Sequence, residues 1–240
     1  MAFTSSTKPC HRVAVLLFPE ADILDYAGPI EILSHATHNQ NRDAPEPVFA
    51  IETVGRARDV PIATGSRILS IHPSIYIAQL LETLPEYHVL VVPGGPPKVM
   101  QRVMETPDGV ELDVIKRFAK LPPAADGRER TILSVCTGAL LLGAAGLLSG
   151  LKVTTHHQAL GQLQAICDRK GAESGAGPKT EVVGHQRFVD AGVVKDGLRI
   201  VTAGGVSSGL DAALHVVELV KDRETADLVS KLVEYERRQT

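Results

Sequence analysis

Short apolar runs alternate with longer amphipathic segments along the chain, which is the pattern of an α/β protein. Continuous apolar runs predict strands that are buried on both faces, as in a parallel sheet. Such runs lie at Val13–Phe18 and Val89–Val92, and a further short run is Thr131–Val135. Other strands are predicted at Val48–Val54 and at residues 67–71, 152–155, 187–191, 193–195 and 199–202, of which 67–71 alternates weakly and is either a hairpin strand or an edge. Helical spacing of apolar residues predicts helices at about residues 29–38, 75–84, 107–121, 160–165, 207–220 and 222–237. The pattern predicts a mostly parallel sheet with helices on both faces.

Two segments have no such periodicity, one at the N-terminus and one inside the chain. Residues 1–11 predict a disordered leader, which leaves residues 12–240 as a single domain. Residues 168–184 contain several turn-forming glycines and a proline and predict the most loop-like part of the chain.

One cysteine lies at the joint between a predicted strand and a predicted helix. The run Thr131–Val135 ends just before Cys136, and an Ala/Leu/Gly segment follows it. Ser134 and Gly138 place small residues two positions before and after the cysteine, which is the spacing of a nucleophile elbow. Backbone N–H groups at a helix start favour a thiolate, so we expect a lowered pKa for Cys136. The alternative is that Cys136 is a small apolar core residue.

Two further stretches place polar or flexible residues after strands. Asp25 precedes the helix predicted from Pro29, so we expect it in a loop at the carboxyl end of the sheet, where α/β proteins form their sites. Its alternative role is to cap that helix. Gly94 and Gly95 follow the run Val89–Val92 and predict either a nest of N–H groups for an anion or an ordinary turn.

The histidines and cysteines favour no metal site. His156 and His157 are adjacent, do not share a face, and have no third ligand at useful spacing. His156 polarises the thiol or hydrogen-bonds a loop, and both alternatives stay open. The cysteines, Cys10, Cys136 and Cys167, have neither metal-ligand spacing nor the number of a disulfide framework.

Composition narrows the function further. The net charge of −3, the 4% aromatic content and the absence of Trp argue against nucleic-acid binding. The N-terminus does not have the pattern of a signal peptide, and no apolar run approaches the ~20 residues that span a bilayer. We therefore expect a soluble, cytoplasmic protein without membrane contact.

Several motifs, in this order and spacing, resemble the ThiJ/PfpI superfamily, which has the class I glutamine amidotransferase-like fold. They are Leu24-Asp25-Tyr-Ala-Gly28-Pro29, Val91-Val-Pro-Gly94-Gly95, Ser134-Val-Cys136-Thr137-Gly138, Thr154-Thr155-His156 and Thr202-Ala-Gly204-Gly205-Val-Ser-Ser-Gly209-Leu-Asp211. The resemblance extends over residues 12–236. It implies a flavodoxin-like three-layer sandwich, a nucleophile elbow and a homodimer.

Within that superfamily, the Leu-Asp-x-x-Gly-Pro loop and the Val-Cys-Thr-Gly elbow are similar to those of isonitrile hydratases. This resemblance implies that Cys136 is the nucleophile, that Asp25 faces it, and that Thr137 follows it as a residue that holds water or donates to developing charge. Peptidases of the superfamily carry His where Thr137 stands, which weighs against protease activity.

The resemblance implies a small-molecule substrate and no cofactor. Gly94, Gly95 and His156 are then candidates for substrate binding, the two glycines through their N–H groups. The hydratase pattern has Trp where this chain has His157.

The implied reaction is addition of water to an isonitrile, which gives an N-substituted formamide. Two alternatives stay open. One is a cysteine enzyme of the same superfamily that acts on α-oxoaldehydes, and the other is a non-enzymatic redox sensor whose thiol stops at sulfinic acid.

Overall fold

A computed structural model describes residue 8 and residues 10–57, 60–106, 109–175 and 177–238 of the chain. Most of the predicted leader, residues 1–11, lies outside the described residues. His11, the last residue of that prediction, already opens the first strand.

The strands are β1 (His11–Leu16), β2 (Phe49–Gly55), β3 (Ile62–Thr64), β4 (Leu69–Ile71), β5 (Ile75–Tyr76), β6 (Val89–Val92), β7 (Arg130–Ser134), β8 (Lys152–Val153), β9 (Glu181–Val182), β10 (Phe188–Lys195) and β11 (Leu198–Ala203). Within the described ranges, the central sheet has seven strands in the order β10-β11-β7-β6-β1-β2-β5. Its neighbours are parallel except for the antiparallel pair β10 and β11. The mostly parallel sheet is therefore confirmed.

The helices are α1 (Ile23–Ser34), α2 (Ile77–Thr83), α3 (Pro97–Glu105), α4 (Val110–Ala119), α5 (Ala139–Ala144), α6 (Leu160–Glu173), α7 (Ser208–Val220) and α8 (Arg223–Leu232). One group consists of α1, α7 and α8, in which α7 contacts both other helices, and the other group consists of α2 to α6. The sheet between these layers gives the flavodoxin-like three-layer sandwich. No helix among the described residues is long and apolar enough to cross a membrane.

The strand core explains why the apolar runs were informative. Every residue from Val13 to Phe18 is fully buried, and Val89–Val92 is buried throughout. Neither face of a strand that is covered by helices on both sides contacts water, so its sequence is a continuous apolar run.

Three of the shorter predicted strands differ in detail. Residues 187–191 and 193–195 form one strand, β10, whose pairing with β11 shifts register between Asp190 and Val193. Gly192 has φ +75° at that irregularity, a conformation that glycine adopts without steric cost. The strand predicted at 152–155 is limited to β8, which pairs with β9 in a separate sheet.

The first helix begins earlier than predicted, and this changes the position of Asp25. Helix α1 starts at Ile23, with Asp22 as its N-cap residue, so Asp25 lies in the first turn of the helix and not in a loop. Pro29 was expected at the helix start, but it lies inside the helix. Its missing N–H would have bonded to the carbonyl of Asp25, four residues earlier.

Two other helices differ from the prediction, one because it was missed and one because it was predicted too short. Helix α3 was missed because the Gly-Gly-Pro-Pro stretch was interpreted as an anion nest or a turn, although Val99, Met100 and Val103 are buried at helical spacing. Helix α6 continues to Glu173 and takes up the first part of the loop predicted at 168–184. The polar residues there form its solvent face.

The topology reverses direction beside β1, and this creates a place for a site. From β1 the chain moves to β2 and β5 on one side, then returns through β6 and β7 on the other. In an open parallel sheet, such a reversal leaves a crevice at the carboxyl ends of the strands.

Candidate active site

Four adjacent strands, β11, β7, β6 and β1, end at this crevice, and hydrogen bonds join the segments that follow them. The Cys136 N–H donates to the Gly204 carbonyl at 2.9 Å, and the Asp22 N–H donates to the Gly94 carbonyl at 3.0 Å. Thr155 adds a further constraint, because its hydroxyl donates to the Cys136 carbonyl at 2.7 Å.

The elbow predicted at Cys136 is present. Strand β7 ends at Ser134, and Cys136 has φ +57°, which is strained for a residue with a side chain. A Cβ atom at Gly138 would lie 2.3 Å from the Val92 carbonyl oxygen, so no larger residue fits there. The small residue two positions after the cysteine is therefore required by close contact with β6.

The sulfur faces two carboxyl groups. The Cys136 Sγ atom and one carboxylate oxygen each of Asp22 and Asp25 lie within 4.8 Å of one another. Asp22 was not singled out in the sequence, although its place three residues before Asp25 was a usable signal. The N–H groups of Thr137 and Val206 donate to the same sulfur.

Asp25 is fully buried. Its Oδ2 accepts the Gly94 N–H at 3.0 Å, and its Oδ1 has no hydrogen-bond partner. Burial, followed by the charge of Asp22, raises the pKa of Asp25 to about 7, although the bonds from Gly94 and Cys136 oppose the rise. The group therefore changes charge near neutral pH.

The expected lowering of the pKa of Cys136 is wrong in this structure. Burial, with a contribution from the charge of Asp25, raises that pKa to about 12, against the two N–H donors of Thr137 and Val206. Desolvation and a nearby like charge outweigh hydrogen bonds to a thiolate here. Near neutral pH the site therefore holds a neutral thiol beside a carboxyl group.

The predicted anion nest has its N–H groups occupied. The Gly94 N–H donates to Asp25, and the Gly95 N–H donates to the Thr137 hydroxyl at 2.9 Å. That hydroxyl donates in turn to the Gly95 carbonyl at 2.8 Å. Because Thr137 has a single hydroxyl proton, its side chain here fixes the glycine loop and has no proton left for a substrate.

His156 lies against the segment after β11. A Cβ atom at Gly205 would lie 2.7 Å from its ring. Its Nδ1 accepts the Gln158 N–H at 3.3 Å, so the neutral ring carries its proton on Nε2. Burial, followed by the charge of His157, lowers the pKa of His156, and the charge of Asp22 opposes this shift. His156 thus packs on a loop of the site and interacts with Asp22.

Among the described residues, a single cluster of three or more side chains could ligate a metal, and it consists of Asp22, Asp25 and Cys136. His156 and His157 are not members of it. Their rings pack against each other with centroids 4.3 Å apart.

Comparisons with known proteins agree with this architecture. The model of the DJ-1/PfpI family matches residues 11–219. The chain is similar to the isonitrile hydratase of Pseudomonas putida, with 32% identity over 227 residues, covering 93% of this chain and 78% of that protein.

Two crystal structures share the fold. A THiJ/PfpI family protein from Pseudomonas syringae gives a TM-score of 0.69 at 23% identity, covering 96% of this chain and 77% of the other. Drosophila melanogaster DJ-1beta gives 0.68 at 19% identity, covering 95% and 100%. These likenesses confirm the predicted fold.

Proposed function

This chain belongs to the DJ-1/PfpI family, and we propose that it is a cysteine-dependent enzyme that adds water to an isonitrile. The product is an N-substituted formamide. The proposal is supported by the similarity to the isonitrile hydratase of Pseudomonas putida. The single observation that carries it is the Cys136 sulfur within 4.8 Å of a buried carboxylate oxygen of Asp25.

In the proposed reaction the thiol, and not a preformed thiolate, is the resting nucleophile. The high pKa of Cys136 keeps the sulfur protonated, whereas the pKa of Asp25 near 7 leaves a substantial fraction of that group ionised. Asp25 is therefore suited to accept the thiol proton as the sulfur attacks, which is general-base catalysis.

The bonds change as follows in this proposal. Sγ bonds to the terminal carbon of the isonitrile while Asp25 takes the thiol proton and delivers it to that same carbon, giving a thioimidate, S–CH=N–R. Water then adds to the carbon, the C–S bond breaks, and the nitrogen gains a proton. The thiol is restored, and the net reaction consumes one water and one isonitrile.

The N–H groups of Thr137 and Val206 act on the sulfur itself in this scheme. They stabilise the negative charge that appears on Sγ when the C–S bond breaks. Cys136 is only 3% exposed in the single chain. A narrow, linear functional group such as an isonitrile suits that restricted access.

The test is turnover of cyclohexyl isocyanide by the purified protein, with N-cyclohexylformamide detected by chromatography. We expect product from the wild type, none from Cys136→Ala, and a rate at least about 100-fold lower from Asp25→Asn, because general-base catalysis contributes about 10²–10⁴-fold. Cys10→Ala removes a thiol at the opposite end of β1 and serves as the matched control with an unchanged rate.

Two outcomes would contradict the proposal. One is formamide production by Cys136→Ala at the wild-type rate. The other is conversion of methylglyoxal by the wild type without any hydration of the isocyanide, which would favour the α-oxoaldehyde alternative.

A further inference from the structure

Val206 has a strained backbone conformation beside the sulfur. Its φ of +35° lies in the left-handed region, which β-branched residues rarely adopt. Its N–H donates to the Cys136 sulfur, but its own side chain is 37% exposed. Packing of the valine side chain therefore does not explain why the strain is kept, and the neighbouring residues must hold the backbone.

Hydrogen bonds on both sides of Val206 fix its position. Before it, the Gly204 N–H donates to the Arg187 carbonyl at 2.9 Å, while the Gly204 carbonyl accepts the Cys136 N–H. After it, the Gly209 N–H donates to the Val206 carbonyl at 3.1 Å, in the first turn of α7. The strained residue thus lies between a strand end and a helix start.

A buried carboxylate anchors that helix start. Asp211 is fully buried in the first turn of α7. Its Oδ2 accepts from Arg187 Nε at 2.7 Å and from the Tyr235 hydroxyl at 2.9 Å, and its Oδ1 accepts the Arg238 backbone N–H at 2.8 Å. Arg187 Nη2 also donates to the Ser207 hydroxyl at 3.2 Å, one residue after Val206.

Arg187 therefore contacts the segment that contains Val206 through both its carbonyl and its guanidinium, and the C-terminal segment completes the cluster. We infer that Asp211, held by Arg187 and Tyr235, is a positioning residue that keeps the Val206 N–H directed at the Cys136 sulfur and so keeps the thiol reactive. The inference rests on the proposed role of Cys136 as nucleophile. It assigns an influence on the reactivity of Cys136 to residues that do not face the sulfur.

The charged groups that face the sulfur come from other elements. Asp22 and Asp25 belong to the start of α1, and His156 follows β8 and interacts with Asp22. Substitutions at Tyr235 and Asp211 leave all three of these side chains in the protein. A change in thiol reactivity in such variants is therefore not caused by the loss of one of these three side chains.

The experiment measures alkylation of Cys136 by iodoacetamide from pH 6 to pH 10, with the modified peptide quantified by mass spectrometry. Tyr235→Phe removes only one hydroxyl from the cluster, and Asp211→Asn removes its charge at nearly constant shape. We expect about tenfold slower alkylation at pH 8, with the rise in rate moved to higher pH, because a hydrogen bond to a charged group is worth about tenfold or more. Glu236→Gln changes an exposed neighbour in the same segment and is the matched control.

The thermal midpoint of each variant separates positioning from simple stability. If both folded variants melt at lower temperature but keep the wild-type alkylation profile, the cluster is only structural and the inference is overturned. If Asp211→Asn does not fold, Tyr235→Phe decides the question alone. Because alkylation needs no substrate, a shifted profile supports the positioning role even when the isocyanide is not hydrated, so the two proposals fail separately.

Discussion

Cys136 has a left-handed backbone conformation, and two substitutions can distinguish the effect of backbone strain from the effect of losing the thiol. Cys136→Ala and Cys136→Gly both remove the thiol, but only glycine adopts φ +57° without steric cost. We expect Cys136→Gly to be more stable than Cys136→Ala by about 1 kcal/mol. Urea unfolding followed by circular dichroism measures the difference. Equal stabilities would show that the elbow carries no strain at this residue.

Asp25 makes stability depend on pH. Its pKa is raised to about 7 in the folded protein, against about 3.9 in an unfolded chain. The folded state therefore binds the proton more tightly, and the stabilisation from this group is present below about pH 4 and lost as the pH rises to about 7.

Asp25→Asn removes that loss. We expect the variant to exceed the wild type in free energy of unfolding by roughly 2–4 kcal/mol at pH 8 and by less at pH 5. Chemical denaturation at the two pH values measures this, and the exposed Asp43→Asn controls for loss of a negative charge. An advantage that does not change with pH would rule out a raised pKa for Asp25.

Sequence reasoning succeeded at this scale where the signal was local. Cys136 and Asp25, which the structure brings close together, were singled out because one lies at a strand–helix joint and the other follows a strand. The direction of the pKa shift of Cys136 could not be found in this way, because it depends on burial and on carboxylates more than 100 residues away in the sequence. For the same reason, the sequence did not show that the Gly94 and Gly95 N–H groups donate to Asp25 and Thr137.

At the level of elements, the elbow depends on close contact between the single 3₁₀ turn Cys136–Gly138 and the end of β6. Gly138→Ala would place a Cβ atom 2.3 Å from the Val92 carbonyl oxygen, so backbone must move. We expect a loss of more than about 2 kcal/mol of stability, in the range of overpacking in a tight core.

The control is a glycine with free space. No atom lies within 4 Å of a Cβ built at Gly171, near the end of α6. Gly171→Ala should raise the unfolding free energy by up to about 1 kcal/mol, because alanine favours a helix over glycine. Thermal unfolding of both variants compares them, and a tolerated Gly138→Ala would contradict the packing described for the elbow.

The errors in the predicted helices have one physical origin. Pro29 was treated as a helix start, whereas the capping position is Asp22 and the proline is tolerated inside α1. The glycines and prolines before α3 and the polar residues of α6 were weighed as loop signals. In each case packing of one apolar face against the sheet or a neighbouring helix outweighed the local preference of the chain.

For the whole molecule, two exposed apolar side chains lie at or next to the start of α1. Leu24 and Ile68 are 40% and 80% exposed. The hairpin of β3 and β4, which carries Ile68, packs on the start of α1, where Ile23 leaves no room for a side chain at Gly65. We propose that Leu24 and Ile68 are covered in the homodimer that the sequence resemblance implies, because apolar side chains exposed in one chain lose contact with water when they lie in an interface.

Light scattering in line with gel filtration tests that proposal. We expect twice the 25.6 kDa of one chain for the wild type and a single chain for Ile68→Asp. Leu219→Asp changes an exposed leucine at the C-terminal end of α7 and should leave the dimer intact. A dimeric Ile68→Asp protein would place the interface elsewhere.

The central claim is that the Cys136 thiol attacks the isonitrile carbon and transfers its proton to the Asp25 carboxylate. The pH dependence of kcat/KM for hydration of cyclohexyl isocyanide tests it most directly. We expect kcat/KM to rise about tenfold per pH unit up to about pH 7 and to stay constant to pH 9, because only the ionised carboxylate accepts the proton. This rise should be absent in Asp25→Asn. A wild-type rate that is already constant between pH 5 and pH 9, or no formamide at any pH, would contradict it.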